Sequence, residues 1–232
     1  MTEVTPFFQR NITCFHCGND FKTTKIRSRF VKIKEHDTDF CPVYQSDEIN
    51  PILYNVNVCV HCGFSFTDDF NRYIVPVLKD ELDNKVTKHW KQQDYGNERS
   101  YEEAINTYKL AAYCAQIKKE KKLTIAGLYL RTAWLYRIKN HTDQEHRFMN
   151  MAVNGYIEAY LNDDFTGTSM SEVKLLYLIA EIHRRLGNFD QAVSYFSKVI
   201  EKQSTSVEPK IIEMAREQWY EMREEYKSMK TV

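Results

Sequence analysis

The chain has 232 residues, 43% hydrophobic and 28% charged, a composition that fits one large globular domain or two smaller ones. Its 32 Lys+Arg balance 32 Asp+Glu, so net charge exerts no global pull on nucleic acid or on an anionic membrane, and only a local patch could do so. Only 7 Gly and 5 Pro are present, which argues against long flexible linkers.

The opening residues, MTEVTPFFQRN, lack a basic segment followed by an apolar one, so no signal peptide is expected. No later stretch approaches the ~18 apolar residues of a membrane span, and no membrane partner is expected. The 6 cysteines, without an export signal, point to a reducing compartment, the cytoplasm. There, paired Cys-x-x-Cys motifs read as metal ligands before disulfides. The texture changes near Pro76. Residues 1–75 read as a zinc-binding, β-rich head, and residues 76–232 as a helical domain, an α+β chain overall. The head carries 8 Lys+Arg against 9 Asp+Glu and the tail 24 against 23, so neither half is charge-biased.

In chain order, the first motif is Cys14-Phe-His-Cys17-Gly18. Residues 22–34 (KTTKIRSRFVKIK) then read as a strand, with Ile26 and Phe30 on one face and Lys25, Arg27 and Arg29 on the other. The alternation slips at Phe30–Val31, where a bulge is expected. The acidic, turn-rich run EHDTDFCPVYQSDEINP (35–51) reads as a loop. Tyr54, Val56 and Val58 alternate with Asn55 and Asn57 in a half-buried strand that runs into Cys59-Val-His-Cys62-Gly63. Beyond Pro76 the 3.6-residue periodicity predicts helices at roughly 79–94, 99–119, 122–140, 143–161, 171–186, 188–203 and 208–230, with Gly187-Asn188 as a turn. Short connections between them suggest stacked antiparallel hairpins.

The two Cys-x-x-Cys motifs carry the clearest chemistry. Each folds into a tight knuckle that aims both sulfurs at one point, and the following glycine permits φ > 0. Together, Cys14, Cys17, Cys59 and Cys62 supply the four thiolates of one tetrahedral zinc site. Such a site is closed, which marks structural rather than catalytic zinc, and the metal should supply much of the head's folding free energy. The motif pattern differs from that of a dithiol redox pair at a βα turn. His16 and His61 lie inside the knuckles and should point away from the metal. Cys41 and His36 are the nearest substitutes, and Cys114 should be a buried small hydrophobe. The arrangement resembles a zinc ribbon, with an unusually long 41-residue insertion between Cys17 and Cys59.

The tail resembles tetratricopeptide repeats. The best copy spans 175–199 (LLYLIAEIHRRLGNFDQAVSYFSKV). Ala180 holds the small position of its first helix, and Phe189, Ala192 and Phe196 hold the aromatic, small and aromatic positions of its second. Tyr101, Ala104, Tyr108 and Ala111 match a second helix. Ala133 and Tyr136 match a first helix, with Ala152, Tyr156 and Ala159 in its partner. The step from Ala133 to Ala152 is 19 residues against 12 from Ala180 to Ala192, so that hairpin must have longer helices or a longer turn. The alternative is an ordinary helical bundle with an aromatic core.

Both halves together resemble a bacterial family of unknown function with a zinc-ribbon head and a helical-repeat tail. The residues that carry the likeness are the two knuckles, Asp37-Thr-Asp-Phe40, Asn50-Pro51, Tyr54 and the run Val58–Gly63. The family commonly places proline inside the knuckle, where this chain has Phe15 and Val60. Proline shapes that turn without binding metal, so ligation should not suffer. The resemblance implies a fold and no established activity.

Three functions compete. A non-enzymatic adaptor would use its helical surface for a protein or peptide partner. A nucleic-acid binder would use Lys22, Lys25, Arg27, Arg29, Lys32 and Lys34, with Phe21 and Phe30 stacking on bases, although that run also fits a charge-protected edge strand. The nearby Glu35, Asp37, Asp39, Asp47 and Glu48 would repel phosphate. An enzyme is disfavoured: the chain has no phosphate loop, His-Glu-x-x-His, Gly-x-Ser-x-Gly or glycine-rich dinucleotide turn. The acid pairs Asp37/Asp39 and Asp68/Asp69 read as solvated loop residues. Oxidation of zinc-bound thiolates keeps redox sensing open.

Overall fold

The computed structural model describes residues 4–204 and 206–230, with side chains as far as 224. Three two-stranded antiparallel sheets come first: β1 (Phe7–Thr13) with β2 (Asp20–Ile26), β3 (Ile33–His36) with β4 (Pro42–Tyr44), and β5 (Asn57–Val58) with β6 (Ser65–Phe66). Helices follow: α1 (Pro76–Lys85), α2 (Tyr101–Lys118), α3 (Lys122–Ile138), α4 (Thr142–Leu161), α5 (Glu172–Arg185), α6 (Phe189–Glu201) and α7 (Pro209–Lys230). The chain is α+β; among the described residues α2 to α7 stand close to where periodicity places them, whereas α1, expected over 79–94, ends at Lys85 and gives way to a 3-10 turn at Thr87–His89.

Local signals set the helix ends. Pro76 opens α1 at the first turn, where its missing N–H costs nothing, three residues earlier than expected. Ser100 and Glu103 form a reciprocal capping box at the start of α2. Gly187, at φ 74°, closes α5: its N–H reaches the Arg184 carbonyl and that of Asn188 reaches His183. The wide Ala133–Ala152 step comes from long helices. Helices α3 and α4 have 17 and 20 residues against 14 and 13 in α5 and α6, while both connections, 139–141 and 186–188, are short. The small residues of the predicted pattern, Ala104, Ala133, Ala152, Ala180 and Ala192, are all fully buried. A Cβ on Gly155 would come within 3.0 Å of the Ala126 Cβ, so α3 and α4 approach closely there.

The head departs from its expected strands. Residues 22–34 do not form one strand: β2 ends at Ile26, a 3-10 turn occupies Ser28–Phe30 where a bulge was expected, and β3 belongs to another hairpin. The expected 35–51 loop contains the end of β3 and all of β4. Residues 51–54 form a 3-10 turn, and only Asn57 and Val58 continue as strand. The reason lies in the backbone carbonyls. Lys25 Nζ donates to those of Tyr54 and Asn55, and Arg99 donates to those of Leu53 and Val56. Two cations thus do what a neighbouring strand would otherwise do. Strand β1 was not expected, because FFQRNIT is half exposed on both faces and shows no alternation.

One apolar core runs from the knuckles through α2, α3 and α4 to one face of α5, joining residues on both sides of Val75. The other face of α5 packs on α6 and α7 in a second cluster. A polar clasp crosses the first core. The β3–β4 tip turns tightly: the Phe40 N–H reaches the Asp37 carbonyl at 2.8 Å, and Phe40 takes φ 65°. Asp39 is fully buried, not solvated as the sequence suggested. Its carboxylate accepts from Arg137 Nη2 at 2.7 Å, from Trp134 Nε1 at 2.9 Å and from its own turn's Cys41 N–H at 3.2 Å. Arg137 also holds Asp37 and, on α4, Glu145. From α5, Arg185 reaches Asp37 and Tyr177 donates to the Thr38 carbonyl. Burial alone would raise the Asp37 carboxyl, but Arg185, the Thr38 N–H and Arg137 hold it below the usual carboxylate range.

Asp39→Ala leaves the Arg137 guanidinium and the Trp134 N–H without their acceptor. The expected loss is about 3–5 kcal/mol, the cost of breaking a buried pair from one side. Urea unfolding of the intact chain measures it, and a loss below about 1 kcal/mol, the size of a surface pair, would contradict the clasp. Because the folded-state pKa of Asp37 is depressed, its contribution is present at neutral pH and is lost as pH falls through that value.

Candidate metal centre

Each knuckle forms the tip of a hairpin, residues 14–19 between β1 and β2 and residues 59–64 between β5 and β6. The two turns share one hydrogen-bond pattern. Gly18 N–H reaches the Cys14 carbonyl at 2.8 Å, and Gly63 N–H reaches the Cys59 carbonyl at 2.9 Å. Cys14 and Cys59 in turn donate to Asn19 and Phe64. Both glycines have positive φ, 78° and 74°. The second is constrained twice, since a Cβ on Gly63 would lie 2.5 Å from the Trp90 ring, whose Nε1 donates to the Val60 carbonyl.

The folding of these hairpins brings Cys14, Cys17, Cys59 and Cys62 together, with all four sulfurs within 4.8 Å of one another. Cys14 Sγ lies 3.8 Å from Cys62 Sγ, and Cys17 Sγ lies 3.7 Å from Cys59 Sγ. Four thiolates at about 2.3 Å from a central ion have edges of about 3.8 Å, so the set fits a tetrahedral cation. The same spacings are far from the ~2.05 Å of a disulfide, and all six cysteines are free thiols. This group of four can hold a metal ion.

The surroundings fix the ligands. Asn19 Nδ2 donates to Cys17 Sγ at 3.4 Å. His16 is buried, and its Nε2 meets Asp83 of α1 at 3.0 Å and Thr87, in the 3-10 turn that follows, at 3.3 Å. His61 Nε2 meets the Asp20 carbonyl at 3.2 Å. Both imidazoles are thus occupied away from the sulfurs. Cys41 lies beside Asp39 outside the cluster, and burial pushes its thiol up to about 12. His36 is exposed on β3. Cys114 is fully buried, and its sulfur accepts the Ser65 N–H at 3.4 Å. The sequence motifs picked out the four cysteines that the fold brings together, but not Trp90, Asn19 or Asp83, whose roles depend on contacts rather than spacing.

A family model described as "Uncharacterized protein conserved in bacteria (DUF2225)" matches residues 7–222, a span that includes both knuckles and reaches into α7. The chain belongs to this family. No curated protein and no solved structure matches it. The family match therefore binds head and helices into one inherited unit without assigning either an activity.

Protons compete with a cation for these sulfurs. A hydrogen bond to Cys59, together with burial, pushes Cys14 up to about 12, and its contact with Cys14 moves Cys62 upward as well. Contacts with Cys14 and Cys62 hold Cys59 down. Metal binding must therefore expel protons from the cluster. Metal occupancy should fall as pH falls, and titration in buffers of different ionisation enthalpy should show proton release. Cys59→Ser should abolish stoichiometric binding, read by elemental analysis; full occupancy in that variant would sink the four-cysteine set. Gly18→Ala should cost only the left-handed backbone penalty of about 1–2 kcal/mol, whereas Gly63→Ala adds the Trp90 clash and should cost clearly more.

Proposed function

We propose that this chain is a non-enzymatic cytoplasmic scaffold. One zinc ion holds its head together, and tetratricopeptide-like helical hairpins present a surface to a protein or peptide partner. The closed set of four thiols carries the reading. A cation bound there has every tetrahedral corner taken, which leaves no position for water or substrate. Soft thiolates in that geometry suit zinc over harder divalent ions. The buried Ala180, Ala192 and Phe196 fit the packing that tetratricopeptide pairs use. Tyr73, Val75 and Val77, leading into α1, and Tyr113 on α2 leave apolar area exposed, which supports a partner-binding role.

The alternative, nucleic-acid binding by the basic run, has weaker support. Lys25 is committed to backbone carbonyls, and Phe21 is in the core. Arg27 donates to the Thr5 carbonyl and lies over Phe8. Lys22, Arg29, Lys32 and Lys34 are exposed without forming one strand.

Elemental analysis of purified protein should give close to one zinc per chain. A photo-crosslinker at Val77, used in native cells, should capture a discrete protein, and Tyr73→Lys should abolish the capture. Neither single- nor double-stranded nucleic acid should bind at physiological salt. Micromolar binding with a log–log salt slope of about −2 to −3, lost in Arg27→Glu, would overturn the scaffold reading, because three phosphate contacts give that slope.

A further inference from the structure

A cavity of about 390 Å³ lies between the β3–β4 hairpin, the 3-10 turn at Pro51–Tyr54 and helices α2 to α5. That size suits a small organic molecule. Phe40, Leu130, Trp134 and Leu178 give it apolar walls, and two cations open onto it, Arg131 of α3 and Lys174 of α5.

Both cations keep donors free of the protein's own carboxylates. Arg131 has five N–H donors, and among the described residues one of them is used, on the Gly127 carbonyl of its own helix at 3.1 Å. Lys174 Nζ lies 4.8 Å above the Phe40 ring. Among the described residues no carboxylate forms an ion pair with either. Three phenols share the cavity. Burial pushes Tyr44, Tyr108 and Tyr156 up to about 12, against the pull of Arg131 on each, so they stay protonated donors. Tyr108 donates to the Ile52 carbonyl. Tyr156 is only 3% exposed, and its hydroxyl donates to no protein acceptor among the described residues. The one carboxylate in the lining, Asp39, is already paired with Arg137 and hydrogen-bonded by Trp134. The cavity therefore combines apolar walls with excess positive charge and an unclaimed donor.

The backbone supplies an independent sign. Phe40 takes φ 65°, a left-handed conformation that a bulky residue pays about 1–2 kcal/mol to adopt. Asparagine or glycine would fill that turn at less cost. The aromatic ring is kept there, packed on Tyr177 and forming one wall of the cavity. Strained residues of this kind gather at ligand sites.

We propose that this cavity binds a small organic anion, a single carboxylate or phosphate monoester carried on an apolar ring. The anionic group sits against Arg131 and accepts from the Tyr156 hydroxyl. The ring lies between Phe40, Trp134 and Leu178, and Lys174 faces the anion from the α5 side. The site does not involve the four thiols and does not depend on the scaffold reading.

The test is isothermal titration of the intact, metal-loaded chain with phenyl phosphate, phenylacetate, inorganic phosphate and benzyl alcohol. At least one ring-bearing anion should bind at a single site, about tenfold or more tighter than inorganic phosphate, and benzyl alcohol should not bind. Arg131→Met should weaken binding about tenfold or more, the size of one charge-assisted hydrogen bond, and Lys174→Met should weaken it less. Should Arg131→Met lose its fold by circular dichroism, nuclear magnetic resonance of the unaltered protein decides instead: the anion must shift the Arg131 Nε–Hε and Tyr156 ring signals. Absence of binding by both ring-bearing anions up to their solubility limits overturns the proposal. So does binding unchanged in a folded Arg131→Met, or binding of inorganic phosphate as tight as that of the ring-bearing anions.

Discussion

The buried carboxylate of Asp39 is the constraint on which the rest of the architecture turns. A charge taken out of water costs several kcal/mol unless it is paired and fully hydrogen-bonded. Asp39 meets that demand only in one arrangement, with Arg137 and Trp134 of α3 on one side and its own turn's Cys41 N–H on the other. The β3–β4 tip can therefore occupy only one place on the helices. Arg137 extends the demand to α4 through Glu145, and Arg185 extends it to α5 through Asp37. Glu181 of α5 is itself fully buried and accepts from Arg184, Arg185 and Thr38. Hydrophobic contact alone would tolerate a slide of the hairpin over α3. This polar network does not, because any slide leaves several buried charges unpaired at once.

How much of this was legible depends on the range of the interaction. The knuckles are local: four residues and a glycine fix a turn, so the ligand set could be read directly. Helices α2 to α7 are local too, since caps such as Ser100 with Glu103 and stops such as Gly187 sit beside the segments they bound. The head's strands are short and take their shape from distant residues. Nothing near Tyr54 announces that Arg99, 45 residues on, will reach its neighbours' carbonyls and hold a 3-10 turn. Asp39 was read as solvated for the same reason: its partner Arg137 is 98 residues away. Acidic residues in a turn-rich run are usually exposed, and only the fold reveals that this one is not.

The metal centre is not isolated from the helices. The first knuckle meets α1 through His16, with Asp83 and Thr87. The second is covered by Trp90, which follows α1, and Cys114 of α2 receives the Ser65 N–H just beyond it. Phe64 and Phe66, stacked beside the knuckles, belong to the same apolar cluster as Ala104 and Tyr108 of α2. Loss of an ion bound there would therefore reach the helices by loosening of the aromatic cluster. The effect should fade across α5, whose far face packs in the second cluster with α6 and α7. Because the knuckles share a core with α2, α3 and α4, a metal bound there would support the first several helices as well as the head.

The strain at Phe40 completes this picture. A left-handed aromatic residue persists only where its surroundings leave no cheaper arrangement. Here the turn is fixed from three sides: Asp37 by Arg137 and Arg185, Thr38 by Tyr177, and Asp39 by Arg137 and Trp134. Once those residues are placed, the next one must turn left to bring Cys41 and Pro42 back into pairing with β3. The clasp thus sets the backbone angle, and the angle sets where the Phe40 ring lies. A residue chosen for the turn alone would have been small. A ring in that position, over Tyr177 and under the Lys174 ammonium, joins the two apolar clusters and forms one wall of the cavity that Arg131 and Tyr156 also line.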